Sequence, residues 1–269
     1  MGKTIILSDI TVLIRGGGEM ASGVACRLYQ CGFRIVLTEI EQPLAVRRTV
    51  SFCEAVYDGR ATVEGIEAIL IKKKDDLSRV WNDRRIPLIV DSHFRSRDLI
   101  MPDVLVDAVM AKKNTGTSTK DAPLVIALGP GFQAGRDAHF VVETNRGHNL
   151  GRLLTYGSAE HNTGIPSAIQ GTTDRVLRAP ADGTWNNNMD IGDNATRGDL
   201  IGNVSDIPVK AQIDGVLRGM IRPGITVTKN IKIGDIDPRG RKEYCHTISD
   251  KARSIGGAVL EGILRFFGS

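Results

Sequence analysis

Residues 11 to 39 hold the pattern that most restricts the fold. Thr11-Val12-Leu13-Ile14-Arg15 is a short β-branched, apolar run, and Gly16-Gly17-Gly18-Glu19-Met20-Ala21-Ser22-Gly23 follows it directly. Val24, Ala25, Leu28 and Tyr29 then recur at helical spacing, with Gly32 where a terminal glycine closes a helix. Phe33-Arg34-Ile35-Val36-Leu37-Thr38-Glu39 is a second strand-like run that ends in an acid. Strand, glycine bend, helix and strand in this order form the β-loop-α-β unit of a nucleotide-binding domain. Gly16, Gly18 and Ala21 fit G-x-G-x-x-A, in which glycines let backbone amides approach a phosphate at a helix N-terminus. Glu39 lies 23 residues after Gly16, near the about 20 expected of an acid that accepts ribose hydroxyls. The candidate ligand residues here are Gly16, Gly17, Gly18, Met20, Ala21, Ser22, Gly23 and Glu39. Glu19 brings a carboxylate into the bend, where it would repel a pyrophosphate if it pointed inward. Arg47 and Arg48 stand where cations can hold a further phosphate, or form a solvated surface pair.

Further strand-like runs follow at Ile66–Ile71, Pro87–Asp91, Val104–Asp107, Leu124–Leu128 and Phe140–Val142, alternating with helical or polar stretches. That alternation predicts an α/β fold, a Rossmann-like and mostly parallel sheet domain over residues 1–172, with ligands at the carboxyl ends of the strands. Three polar loops sit at such ends. Ala111–Thr117 contains Asn114; Gly129–Gly135 contains Gly129 and Gly131; Glu143–Arg152 contains Asn145, Arg146 and His148. Clustered glycine amides suit anions, although the same residues are those that ordinary turns require. His93 and His148 are the histidines placed among polar loop residues, as acid–base groups or as plain hydrogen-bonding partners.

The C-terminal part repeats itself. Ala179-Pro180-Ala181-Asp182-Gly183 recurs as Ala211-Gln212-Ile213-Asp214-Gly215, Gly192 as Gly224, and Ile201-Gly202 as Ile233-Gly234, all at an offset of 32 residues. Fixed-offset similarity marks duplicated supersecondary units. The spacing resembles the biotinyl/lipoyl barrel-sandwich hybrid, predicted here as an all-β module over 173–240. Its junction, Asn203–Ala211, is short and contains proline, and Lys210 lacks the Met-Lys-Met setting of a carrier lysine, so the expected role is docking or closure. A terminal helix is predicted within 241–269, capped by Ser249 or Asp250 and packing back on the α/β domain.

Composition excludes several classes. The 35 Lys and Arg against 31 Asp and Glu give a net charge of +4, too scattered for a nucleic-acid surface. No apolar run reaches the about 18 residues of a spanning helix. Met1–Ile6 carries no cleavable signal pattern, and Ile6 occupies the position where myristoylation requires Ser or Thr. Four cysteines show no metal-ligand spacing and read as reduced packing residues of a cytoplasmic protein.

Longer strings carry a resemblance to a known family. Ile14-Arg15-Gly16-Gly17-Gly18, Ala21-Ser22-Gly23-Val24-Ala25, Pro43-Leu44-Ala45-Val46-Arg47-Arg48, Gly129-Pro130-Gly131-Phe132, Glu143–Arg152, Asp235-Ile236-Asp237-Pro238-Arg239 and Ile248–Arg253 resemble the YqeB family. The resemblance implies an accessory protein of the selenium-dependent molybdenum hydroxylase system, needed to mature xanthine-dehydrogenase-like enzymes, with the apo-hydroxylase or its other accessory proteins as partners. The expected ligand is a small nucleotide-bearing molecule, with NAD(P) and the molybdopterin dinucleotide as candidates. The alternatives are an NAD(P)-dependent oxidoreductase and a non-enzymatic docking scaffold.

Overall fold

The computed structural model describes residues 6–164 and 168–268, so most of Met1–Ile6 lies outside the described residues. The chain divides into two compact units: residues 1–43, 51–163 and 248–269, and residues 44–50 with 164–247.

The first unit contains β1 (Thr11–Arg15), α1 (Glu19–Gln30), β2 (Arg34–Glu39), α2 (Ala55–Asp58), β3 (Arg60–Val63), β4 (Ile66–Ile71), α3 (Asp76–Asn82), β5 (Ile86–Val90), α4 (Ser96–Ile100), β6 (Val104–Asp107), β7 (Leu124–Leu128), β8 (Gln133–Ala134), β9 (Phe140–Val142), β10 (Leu153–Leu154) and β11 (Gly157–Ser158). Nine of these strands form one mixed sheet in the order β10-β9-β7-β6-β1-β2-β5-β4-β3. The inner strands run parallel, and β10 and β3 pair antiparallel at the two edges. The central strands β1, β6 and β7 are buried along nearly their whole length, which explains their continuous apolar runs.

The second unit contains β12 (Val176–Arg178), β13 (Gly183–Asn187), β14 (Asn194–Ala195), β15 (Leu200–Val204), β16 (Ile207–Lys210), β17 (Gly215–Met220), β18 (Thr226–Val227) and β19 (Lys232–Asp237). They make two antiparallel four-stranded sheets, β12-β19-β17-β14 and β16-β15-β13-β18. The duplication is visible in the hydrogen bonds. Lys229 N donates to Asp182 Oδ1 at 2.6 Å, and Arg197 N donates to Asp214 Oδ1 at 2.7 Å. Both the donors and the acceptors are 32 residues apart. Trp185 is wholly buried in a core with Ile201, Leu217, Ile233 and Ile236.

The expected Rossmann-like domain with a biotinyl/lipoyl barrel-sandwich hybrid is corrected by this topology. A Rossmann sheet places its first strands as 3-2-1-4. Here β5 enters between β2 and β4, and antiparallel strands close both edges. The second unit is an antiparallel half-barrel. Lys210 sits opposite Leu200 at the open end of the β15–β16 hairpin, away from the Ser205-Asp206 turn where a carrier lysine would be presented.

The last helix, α5 (Asp250–Phe267), is capped by Ser249, whose hydroxyl accepts from Ala252 N. It packs on α1 and, more lightly, on β7, β9 and β10. Small residues allow the close helix approach: a Cβ on Gly23 would stand 2.7 Å from the Ala252 Cβ, and one on Gly256 would stand 3.0 Å from the Gly23 carbonyl oxygen. Among the described residues no helix is long and apolar enough to cross a membrane, and no group of three or more His, Cys, Asp or Glu could hold a metal ion. The four cysteines form no disulfide; Cys26, Cys53 and Cys245 are buried, and burial pushes the Cys26 thiol up to about 12.

Candidate functional site

Parallel pairing directs the carboxyl ends of β1, β2, β5, β6, β7 and β9 to one edge of the sheet. The chain leaves β1 toward β2 on one side and later returns with β6 on the other. The β1/β6 gap is therefore the switch point where an open α/β sheet forms a crevice.

The glycine bend lies there. Gly16 has φ +103, and a Cβ on it would meet the Ala108 carbonyl at 3.1 Å. Gly17 backs onto Cys53, whose amide donates to the Gly17 carbonyl at 2.8 Å. The buried Ser22 hydroxyl donates to the same carbonyl and accepts from Phe52 N. Each of these contacts is internal to the fold. Gly18 differs. Its φ of −70 and ψ of −174 suit any residue, and a Cβ there would meet nothing within 4 Å. No protein acceptor among the described residues takes the amides of Gly18, Met20 or Ala21, whereas Ser22 N already bonds the Gly18 carbonyl.

Glu39 closes the bend. Its carboxylate accepts from Gly17 N through Oε2 and from its neighbour Ile40 N through Oε1, both at 2.8 Å. Burial raises its pKa, while the Ile40 and Gly17 amides pull it down. Each oxygen accepts one of the two bonds available to it, so a sugar hydroxyl could still donate to either.

Several expected ligand residues have other work. Gly23 is the α1–α5 contact, and Ser22 braces the bend from behind. Arg47 and Arg48 belong to the second unit. Arg47 is buried and donates through Nη2 to the Tyr244 and Thr247 carbonyls, and Arg48 Nε donates to the Met220 carbonyl at 2.7 Å. Asn114 makes an Asx-type turn, accepting from Gly116 N and Thr117 N. A Cβ on Gly129 would collide with Thr144 Oγ1, and one on Gly131 with the Lys113 backbone, each at 2.5 Å. Asn145 donates to Glu160, and Arg146 forms a two-point ion pair with Asp250. His148 and His93 are exposed.

The sequence pattern missed the polar groups of the switch point itself. Arg15 and Asp107 are register partners at the ends of β1 and β6 and form an ion pair of 3.3 Å. Asp107 is buried and also accepts from the Thr117 hydroxyl at 2.5 Å. The Arg15 guanidinium lies 4.6 Å from the centre of the Phe94 ring, and Phe94 is held at φ +56, an uncommon conformation for an aromatic residue. Opposite charges closing neighbouring strands were the available signal.

No family model matches the chain. It is 46% identical over 254 residues to "Uncharacterized protein YqeB" of Escherichia coli (strain K12), over 94% of this chain and 47% of that protein. The chain thus spans about half the length of the curated relative it matches. Among solved structures, TcdA (CsdL) aligns with 98% of this chain and 90% of its own at 9% identity and TM-score 0.36. An aspartoacylase family protein from Mesorhizobium loti aligns with 84% of each chain at 11% identity and TM-score 0.27.

Proposed function

The match to the Escherichia coli protein supports membership of the YqeB family, and from that premise we propose an accessory factor for maturing selenium-dependent molybdenum hydroxylases. In this reading the protein is cytoplasmic and binds a nucleotide-containing ligand, with the pterin dinucleotide form of the molybdenum cofactor as the leading candidate. The pyrophosphate accepts from the amides of Gly18, Met20 and Ala21, and Glu39 receives a sugar hydroxyl. The observation that carries the reading is Gly18. Neither its backbone angles nor its neighbours require glycine, and a side chain there would occupy the approach to amides that no acceptor among the described residues takes.

Calorimetric titration of the purified chain with NAD, NADP and the pterin dinucleotide tests the ligand half. Binding of the pterin form without nicotinamide turnover supports the proposal. Turnover of a nicotinamide cofactor would favour the oxidoreductase alternative. Capture of a molybdenum hydroxylase by the wild type tests the partner half, and capture with no nucleotide binding would favour a docking scaffold.

A further inference from the structure

One segment of the first unit joins the glycine bend to a cleft. At the bend, the Ala108 carbonyl oxygen stands 3.1 Å from where a Cβ on Gly16 would lie. Four residues further on, Lys112 lines a cleft of about 400 Å³ among the loops after β6, β7, β8 and β11. Four residues span at most about 14 Å when extended. Here they are turned, with Met110 at φ +60 and Lys112 at φ +62. The cleft is therefore close to the bend. Its walls belong to loops that follow β6 and β7, which lie on the side of β1 away from β2.

The cleft is preformed. Gly131, at φ +103, lets the β7 loop press against the Lys112–Lys113 backbone. Glu160 N donates to Glu143 Oε2 at 2.7 Å, which ties the segment after β11 to the end of β9. The lining is amphipathic. Phe132 and Ala159, both buried, make it apolar on one side, and the exposed Ser158 and His161 add hydrogen-bonding groups. Its cations have counterparts: Arg136 is ion-paired with Asp137 at 2.8 Å, Lys112 has a partner of its own, and the Glu160 carboxylate lies between Ala159 and His161 in the chain. Apolar surface with a few polar groups and little spare charge suits a flat, uncharged heterocycle, one face on carbon and its edge hydrogen-bonded.

We infer that this cleft seats the second heterocycle of a dinucleotide-type ligand, against Phe132 and Ala159 with its polar edge toward Ser158 and His161, a placement that rests on the nucleotide bound at the glycine bend as proposed. Direction follows from strand order. Glu39 ends β2 and takes the sugar, so the nucleoside half lies on the β2 side of the pyrophosphate. The far half then leaves toward β6 and β7, along the segment from Ala108 to Lys112.

The isotope-labelled full chain is titrated with the pterin dinucleotide in one arm and, in the other, with the nucleoside diphosphate left when its pterin is removed. Amide shifts at Gly131 and Ala159 that saturate with the dinucleotide and are absent with the diphosphate support the site. Ser158→Trp places an indole in the cleft from an exposed position. It is expected to weaken the dinucleotide about tenfold, through lost ring burial, and to leave the diphosphate affinity unchanged. Equal shifts in both arms, or a dinucleotide affinity that Ser158→Trp leaves intact, would overturn the cleft assignment while the nucleotide at the glycine bend stands. No binding in either arm would overturn both.

Discussion

Two glycines a few residues apart differ in what they tolerate. Gly23 is packed against Ala252, so Gly23→Ala is expected to destabilise the protein by about 1–3 kcal/mol, read by urea unfolding. Gly18 is the N-cap of α1 and faces open space. Aspartate is a better N-cap and complements the helix dipole, so Gly18→Asp is expected to retain or raise the melting temperature while opposing an anion. Glu39 sets a pH dependence. Burial lifts its folded-state pKa above the ordinary glutamate value, so the folded chain holds that proton to higher pH than the unfolded chain does. The associated stability is complete below the unfolded value and is lost as pH rises through the folded one. The unfolding free energy of the wild type, less that of the non-titrating Glu39→Gln, should therefore decline from acidic to neutral pH; a rise across that interval would contradict the burial.

At the scale of elements, the short-range pattern was informative. The runs read as strands at 11–15, 66–71, 104–107 and 124–128 are β1, β4, β6 and β7, because each is largely apolar and bounded by turn residues. The hairpin of β3 with β4 was not legible: Arg60–Val63 is short and half exposed, and edge strands need no continuous apolar run. The repeat predicted equivalent turns, and the Asp182 and Asp214 bonds are equivalent. Asp182→Ala and Asp214→Ala should thus each cost about 1 kcal/mol, and by similar amounts in matched urea titrations. Asp235 is different. It is buried between Arg175 and Arg218; burial opposes its ionisation, but the Lys232, Arg218 and Arg175 charges hold its pKa below the ordinary value. Asp235→Asn removes a buried carboxylate shared by Arg175 and Arg218 and leaves Asp237, 3.0 Å from Arg218, as that residue's counter-charge, at a cost of about 3–5 kcal/mol in the same assay.

For the whole molecule, periodicity located strands and helices but not the order in which strands join the sheet. The insertion of β5 beside β2 depends on contacts between distant segments, which no local pattern encodes. The candidate site was legible to the same extent. Gly16–Gly18 and Glu39 come together as their spacing suggested, because one tight β-α-β crossover fixes them. Arg47 and Arg48 follow Glu39 closely in the chain, and their guanidinium groups bond carbonyls of the second unit. Calorimetric titration of the wild type and Gly18→Asp with the pterin dinucleotide form of the molybdenum cofactor tests the central claim most directly. Saturable binding by the wild type, lost in a folded Gly18→Asp, is the predicted result. Equal binding by both, or none by the wild type, would contradict a phosphate at the Gly18–Ala21 amides.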